Sequence, residues 1–92
     1  MVYVVVLTEF KEVFFGECNN PEADVLTLQN ARQAVFYSVE THGLLGLAAT
    51  GPAEGSKIGP PIVWMHIASK HVRNVLLCSN EAIQVWKQAR WG

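Results

Sequence analysis

The residues best suited to chemistry are a few cations that lie close to a stretch rich in glycine and proline. Residues 50–61 (TGPAEGSKIGPP) contain Lys57 beside Ser56. Exposed backbone N–H groups together with a lysine can hold an anion such as phosphate. The spacing is not that of a nucleotide-hydrolysing phosphate loop, so that class is excluded. Two interpretations stay open: a small-anion site, or a loop that is either flexible or forms an oligomer contact.

Arg32 is the second candidate, in a short Asn30-Ala-Arg triplet between two predicted strands. A guanidinium held on a sheet suits bidentate recognition of carboxylate or phosphate. Alternatives are a salt bridge from Arg32 to Glu40 or Glu54, and a turn-shaping role for Asn30. Tyr37 either stacks on a ligand ring or belongs to the core. The predicted ligand-binding residues are Asn30, Arg32, Tyr37, Thr50, Gly51, Ser56 and Lys57.

Nothing in the sequence has the spacing of a catalytic or metal-binding motif. The three histidines have no acidic residue at a diagnostic distance and are interpreted as structural or surface residues. Cys18 and Cys78 form no Cys-x-x-Cys pair, so two free thiols in a reducing compartment are the better interpretation. We therefore expect no enzyme activity, no catalytic residue, no metal and no cofactor.

Composition limits the class of protein and its partners. Ninety-two residues predict one domain, residues 1–92, and a hydrophobic fraction of 50% excludes a disordered chain. With only 16% charged residues, an apolar surface patch and a homo-oligomer are favoured. The net charge is −1 and the seven basic residues are scattered, so nucleic acid is an unlikely partner. Without a signal peptide or a long apolar run, we expect a cytoplasmic protein that does not enter the membrane.

The hydrophobic pattern predicts six short strands and one helix. The strands are expected at residues 2–8, 12–18, 25–29, 34–38, 62–68 and 72–78. Gly16 indicates a bulge or a close backbone approach, and residues 30–32 are interpreted as a bulge or a tight corner. A helix from about Glu81 to Arg90 follows a cap at Ser79 or Asn80, and its Ala82, Ile83, Trp86 and Ala89 share one face. Residues 41–49 predict one or two helical turns, with Thr41 as a possible cap and Gly51 as terminator. The expected fold class is α+β: a small antiparallel sheet or barrel-like domain with one C-terminal helix.

Several runs resemble a family of short proteins from tailed phages and prophages that carry only a domain-of-unknown-function label. The most specific are Thr27-Leu28-x-Asn30-Ala31-Arg32, Gly46-Leu47-Ala48 followed by Gly51-Pro52, and Lys57-Ile58-Gly59-Pro60. The likeness covers nearly the whole chain. It departs from the pattern at Lys57, where arginine is frequent, and at residues 63–69, which are more aromatic and less acidic. The resemblance implies a phage origin and a location in the host cytoplasm, but no activity.

Two functions follow as hypotheses. The first is a non-enzymatic phage protein that sequesters a small anionic, nucleotide-like ligand and so counters a host defence. The second is a protein-interaction module, either structural in the phage or an inhibitor of a host enzyme. The phage resemblance and the glycine-rich loop beside basic residues favour the first.

Overall fold

The computed structural model describes residues 1–91 as one antiparallel sheet with two short helices. The strands are β1 (Val2–Thr8), β2 (Val13–Cys18), β3 (Val25–Phe36), β4 (Lys57–Ile58), β5 (Ile62–Ala68) and β6 (Val72–Leu77). The helices are α1 (Gly43–Ala49) and α2 (Asn80–Gln88). The strand order is β4–β3–β2–β1–β6, and β5 also pairs with β3. The predicted fold class is therefore confirmed, and the sheet is not closed into a barrel.

One long strand replaces two predicted ones, because the Asn30 triplet is a bulge and not a corner. Asn30 has a φ of 52°, and the β2–β3 register shifts between Phe15 and Glu17. On the other strand Gly16 makes the close approach that its position predicts, since a Cβ there would lie 2.9 Å from the Leu28 Cβ. An extra residue reverses the side-chain alternation beyond it. The bulge therefore decides which face of the sheet Arg32 occupies.

The sheet is buried on both faces, and successive residues of β1 enter different cores. Val4 and Val6 belong to one cluster, with Leu26, Leu28 and Ala31 from β3. Val5 belongs to the other, with Ala34 from β3 and the buried residues of both helices. Even-numbered Leu28 faces the first cluster before the bulge and even-numbered Ala34 faces the other after it, so the alternation of β3 reverses at Asn30. Arg32 then shares the helix-covered face.

Helix α2 covers that face as its pattern predicts. Ser79 caps it by accepting a hydrogen bond from the Ala82 N–H at 3.0 Å. Ala82 and Trp86 are fully buried, and the Trp86 ring stacks on Phe15 of β2 with centroids 4.9 Å apart. The Trp86 indole N–H donates to the Leu47 carbonyl at 2.9 Å, which ties α2 to α1.

Two local expectations are wrong. Thr41 does not cap α1, which begins after His42; the Thr41 hydroxyl instead accepts a hydrogen bond from the Ala53 N–H at 2.9 Å. Residues 50–61 are not wholly a loop, because Lys57 and Ile58 form β4 against the end of β3. A buried, apolar Ile58 paired with Ala34 explains this strand, since it extends the helix-covered core.

Candidate functional site

Arg32 is the organising residue of the candidate site, because it is a cation that is only 5% exposed. Its Nε donates to the Gly59 carbonyl at 2.8 Å and its Nη1 donates to the Trp86 carbonyl at 2.7 Å. The Trp86 carbonyl lies in the last turn of α2, where backbone acceptors lack helical partners. Arg32 therefore joins the helix end to the segment that follows β4. The alternative expectation was a salt bridge from Arg32 to Glu40 or Glu54. The guanidinium instead binds the two backbone carbonyls.

The guanidinium keeps donors free after these two bonds. It carries five N–H groups, and Nη2 has no hydrogen-bond partner within residues 1–91. No buried side-chain nitrogen or oxygen of the described residues is unpaired, so Nη2 must reach solvent. Arg32 borders a cavity of about 260 Å³. Its lining residues are Tyr3, Phe15, Asn30, Arg32, Pro61 and Lys87.

A second cation stands at the rim of this cavity, which we call the Arg32 cavity. Lys87 Nζ lies 4.6 Å from the centroid of the Tyr3 ring. Contact with the Tyr3 side chain raises the pKa of Lys87, while burial lowers the pKa of Arg32. Glu17 is the nearby acid, and it accepts a weak bond from the Asn30 amide at 3.3 Å. The rim therefore has one exposed cation and one acid, with the Arg32 cation beneath them.

This arrangement suits the head of a small anion. A guanidinium with free N–H groups binds carboxylate or phosphate oxygens through directed bonds, and low local polarity strengthens them. The cavity is slightly smaller than the usual range for a whole organic ligand, which begins near ~300 Å³. It therefore fits a charged group and leaves the rest of a ligand outside, over Pro61 and Tyr3.

The predicted ligand residues do not all meet here. Asn30 and Arg32 line the Arg32 cavity, and the other five do not. Tyr37 packs against the helix-side core, and Lys57 is exposed on β4. Ser56 lines a separate, wider groove between residues 52–58 and the end of α2, together with Arg90.

Thr50 and Gly51 follow α1 and form hydrogen bonds that end the helix. The Thr50 and Gly51 N–H groups both donate to the Gly46 carbonyl, at 2.8 and 3.0 Å. Gly51 has a φ of 84°, and a Cβ there would lie 2.7 Å from the Val85 Cβ. Gly51 therefore terminates α1 as predicted, and its lack of a side chain lets α2 approach.

Four lining residues were not predicted from the sequence: Tyr3, Phe15, Pro61 and Lys87, of which Tyr3 and Lys87 carry polar side-chain groups. Tyr3 lies in a strand whose other residues are mostly apolar, which predicts a core role. Lys87 lies in the last turn of the predicted helix, where a positive charge is explained by the helix dipole. Their neighbours place both residues beside the helix-covered core. Lys87 follows the buried Trp86, and Tyr3 shares a face of β1 with Val5. Linking those faces to Arg32 required knowing that α2 crosses β1 and β2.

The remaining polar clusters are small and mostly exposed. His71 Nδ1 lies 2.6 Å from Glu9 Oε1, and His66 Nδ1 lies 2.8 Å from Thr27 Oγ1. Among residues 1–91, no three potential metal ligands come together. Cys18 and Cys78 are free thiols, and burial raises the pKa of Cys78 to about 12, which disfavours its reactive thiolate. No helix in this part of the chain is long and apolar enough to cross a membrane.

Comparison with known families gives one match. A family described as a domain of unknown function, DUF6948, matches residues 1–86. The chain belongs to the DUF6948 family. The matched range includes every residue that lines the Arg32 cavity except Lys87. No curated protein and no solved structure matches the chain. Membership confirms the expectation of an uncharacterised family, and it assigns neither an activity nor a phage origin.

Proposed function

We propose that this DUF6948 protein is a non-enzymatic binding protein that holds the carboxylate or phosphate of a small, nucleotide-like ligand in the Arg32 cavity. One observation carries the proposal: a guanidinium that is 5% exposed lines an open cavity, and its Nη2 has no hydrogen-bond partner within residues 1–91. A buried cation is costly unless its donors are used, and an anion would use the remaining ones. Lys87 adds a second positive charge at the rim.

The lining supports binding without chemistry. Of its six residues, Tyr3, Asn30, Arg32 and Lys87 carry polar side-chain groups, and none is a carboxylate, histidine or thiol that could act as a base near neutral pH. The aromatic side chains of Tyr3 and Phe15 offer apolar surface to the part of the ligand next to the charged head. This composition is typical of a site that recognises a ligand.

The biological setting is part of the same proposal. The resemblance to short phage and prophage proteins supports a phage-encoded protein that acts in the host cytoplasm. There, sequestering a nucleotide-like signal would counter a host defence. The proposal of a ligand in the Arg32 cavity does not depend on this setting and is tested separately.

The test is a binding panel read by heteronuclear NMR and thermal shift. The probes are inorganic phosphate, acetate, AMP, a cyclic nucleotide, ADP-ribose and, as the uncharged control, adenosine. Phosphate or carboxylate probes should shift the amide signals of Asn30, Arg32 and Lys87, and adenosine should not. At a hundredfold excess over Kd, the bound ligand should stabilise the fold by about 2.7 kcal/mol. A panel with no response up to ~10 mM would overturn the proposal, since such affinities are weaker than about −2.7 kcal/mol.

A matched pair of lysine variants locates the site. Lys87→Met should weaken binding about threefold to tenfold, because it removes a charge from the cavity rim. Lys57→Met removes an exposed lysine from β4 and should leave the affinity unchanged. The opposite result, in which only Lys57→Met weakens binding, would move the site to residues 50–61 and exclude the Arg32 cavity.

A further inference from the structure

Strand β5 is a sheet edge without the usual protection against pairing. Within the described residues it pairs with β3 alone, so one side of its backbone is unpaired. Its sequence, IVWMHIA, contains no lysine, arginine, acid or proline. Such residues normally keep edge strands apart. The opposite edge, β6, has an exposed Arg73 and is protected in this way.

The free backbone groups of β5 can be identified from its neighbour. The Ser69 N–H donates to the Asp24 carbonyl at 2.8 Å, and the β3–β5 pairing continues in the same register to Val25 and Ala68. In an antiparallel ladder, residues alternate between facing the partner strand and facing away. The backbones of Val63, Met65 and Ile67 therefore face β3. Those of Ile62, Trp64, His66 and Ala68 face the free edge.

The same edge has the exposed apolar side chains. Val63 is 79% exposed, Trp64 56% and Ile62 48%. These three residues form the first half of β5, whereas Ile67 in the second half is buried. Val25 of β3, 52% exposed, lies on the same face of the sheet as Trp64. Apolar surface and unpaired backbone thus coincide over one stretch of chain.

We propose that two copies of this chain pair through their β5 strands, antiparallel, about a two-fold axis at Trp64. This register pairs each Trp64 with Trp64 of the partner subunit and each Ile62 with His66 of the partner subunit. All of these residues have backbone groups that face the free edge, so the two ladders are complementary. No formal charge of Lys, Arg, Asp or Glu lies in the paired strands to oppose the contact.

The area sets the expected strength. A seven-residue strand is about 23 Å long, and each copy contributes a tryptophan, a valine and an isoleucine that are roughly half exposed or more. A contact limited to one strand from each copy is small beside the roughly 1,200–2,000 Å² of a standard interface. The expected dimer is therefore reversible, with a Kd on the order of micromolar. No residue of β5 is among the residues that line the Arg32 cavity, and the pairing does not depend on the proposed ligand.

Sedimentation velocity of the full chain tests the pairing, over about 1–300 µM to bracket a micromolar Kd. The wild-type protein should shift from monomer to dimer as its concentration rises. Val63→Lys should remain monomeric, because it places a charge at the edge. Trp64→Pro should also remain monomeric, because it removes an N–H that faces the partner and leaves the β3 ladder intact. Circular dichroism confirms that each variant is folded.

Val35→Lys is the matched control, since Val35 is 57% exposed but lies in the last part of β3. This variant should dimerise like the wild type. A wild-type protein that stays monomeric over the whole range would overturn the proposal. So would a dimer that survives Val63→Lys but is lost in Val35→Lys, because the interface would then be the other end of the sheet.

Discussion

The Arg32 cavity and the glycine-rich segment, residues 50–61, both have the composition of an anion site, yet the fold treats them differently. In the segment, several N–H groups are already bound: that of Ser56 donates to the Ala53 carbonyl, and that of Gly59 donates to the Gln33 carbonyl. In the cavity, the Arg32 Nη2 donors have no partner within residues 1–91. The residue types identify possible hydrogen-bond donors, but only donors that the fold leaves without a protein partner can bind a ligand.

The glycines show the same contrast. Gly51 is needed because α2 packs against it, and Gly55 has a φ of 92° but no atom within 4 Å of its missing side chain. Gly51 thus allows the close approach of α2, whereas Gly55 lies in a turn with left-handed backbone. The segment is therefore a connector that packs α1, α2 and β4 together.

The largest expected effect comes from Arg32. Arg32→Met removes two charge-assisted bonds and leaves the Gly59 and Trp86 carbonyls without these donors, so the free energy of unfolding should fall by about 3–4 kcal/mol. Lys57→Met, at an exposed position, should change it by less than about 0.5 kcal/mol. Urea unfolding measures both. Equal stabilities would mean that Arg32 does not hold the α2 end in place.

The two glycines give the next test. Gly51→Ala combines left-handed backbone strain with overlap against Val85, and should lower the free energy of unfolding by about 2–3 kcal/mol. Gly55→Ala meets only the backbone strain and should lower it by about 1 kcal/mol. Thermal and urea unfolding report the difference. In both folded variants, binding at the Arg32 cavity should persist; its loss in Gly55→Ala would show that the segment contacts the ligand.

The smallest effect is expected at the bulge. Asn30 tolerates a φ of 52° better than most residues, so Asn30→Ala should cost about 1 kcal/mol of unfolding free energy. Asn30→Gly relieves the strain and should stay within about 0.5 kcal/mol of the wild type. Comparable losses in both variants would assign the stability to the Asn30 side chain and its bond to Glu17, and not to the backbone conformation.

Much of the fold could be predicted because the local pattern and the tertiary structure agree. Ser79 has the side chain of a cap, Ala82 and Trp86 recur at helical spacing, and Gly16 marks a close approach of strands. The division of residues 25–38 into two strands was wrong because a bulge breaks the alternation without ending the strand. The prediction of a loop around Lys57 is wrong because β4 has only two residues, which are too few to show the alternation of apolar and polar side chains that marks a strand.

The candidate site could be predicted only in part. Asn30 and Arg32 were found because both lie in a short polar interruption of apolar strands. Tyr3 and Lys87 were missed because they lie 29 residues before and 55 residues after Arg32, a separation read directly from their positions. No local pattern relates them.

The sequence by itself determined most of the strands and helix α2 with its Ser79 cap, because these depend on side-chain types and spacing within a few residues. It also placed Arg32 among the candidate ligand residues. Only the tertiary structure decided that Arg32 is buried under α2, that it lines a cavity together with Lys87, and that β5 is left as an unprotected edge. Those outcomes depend on which strands and helices pack together. Contacts between segments far apart in the chain produce no periodic pattern in the local sequence.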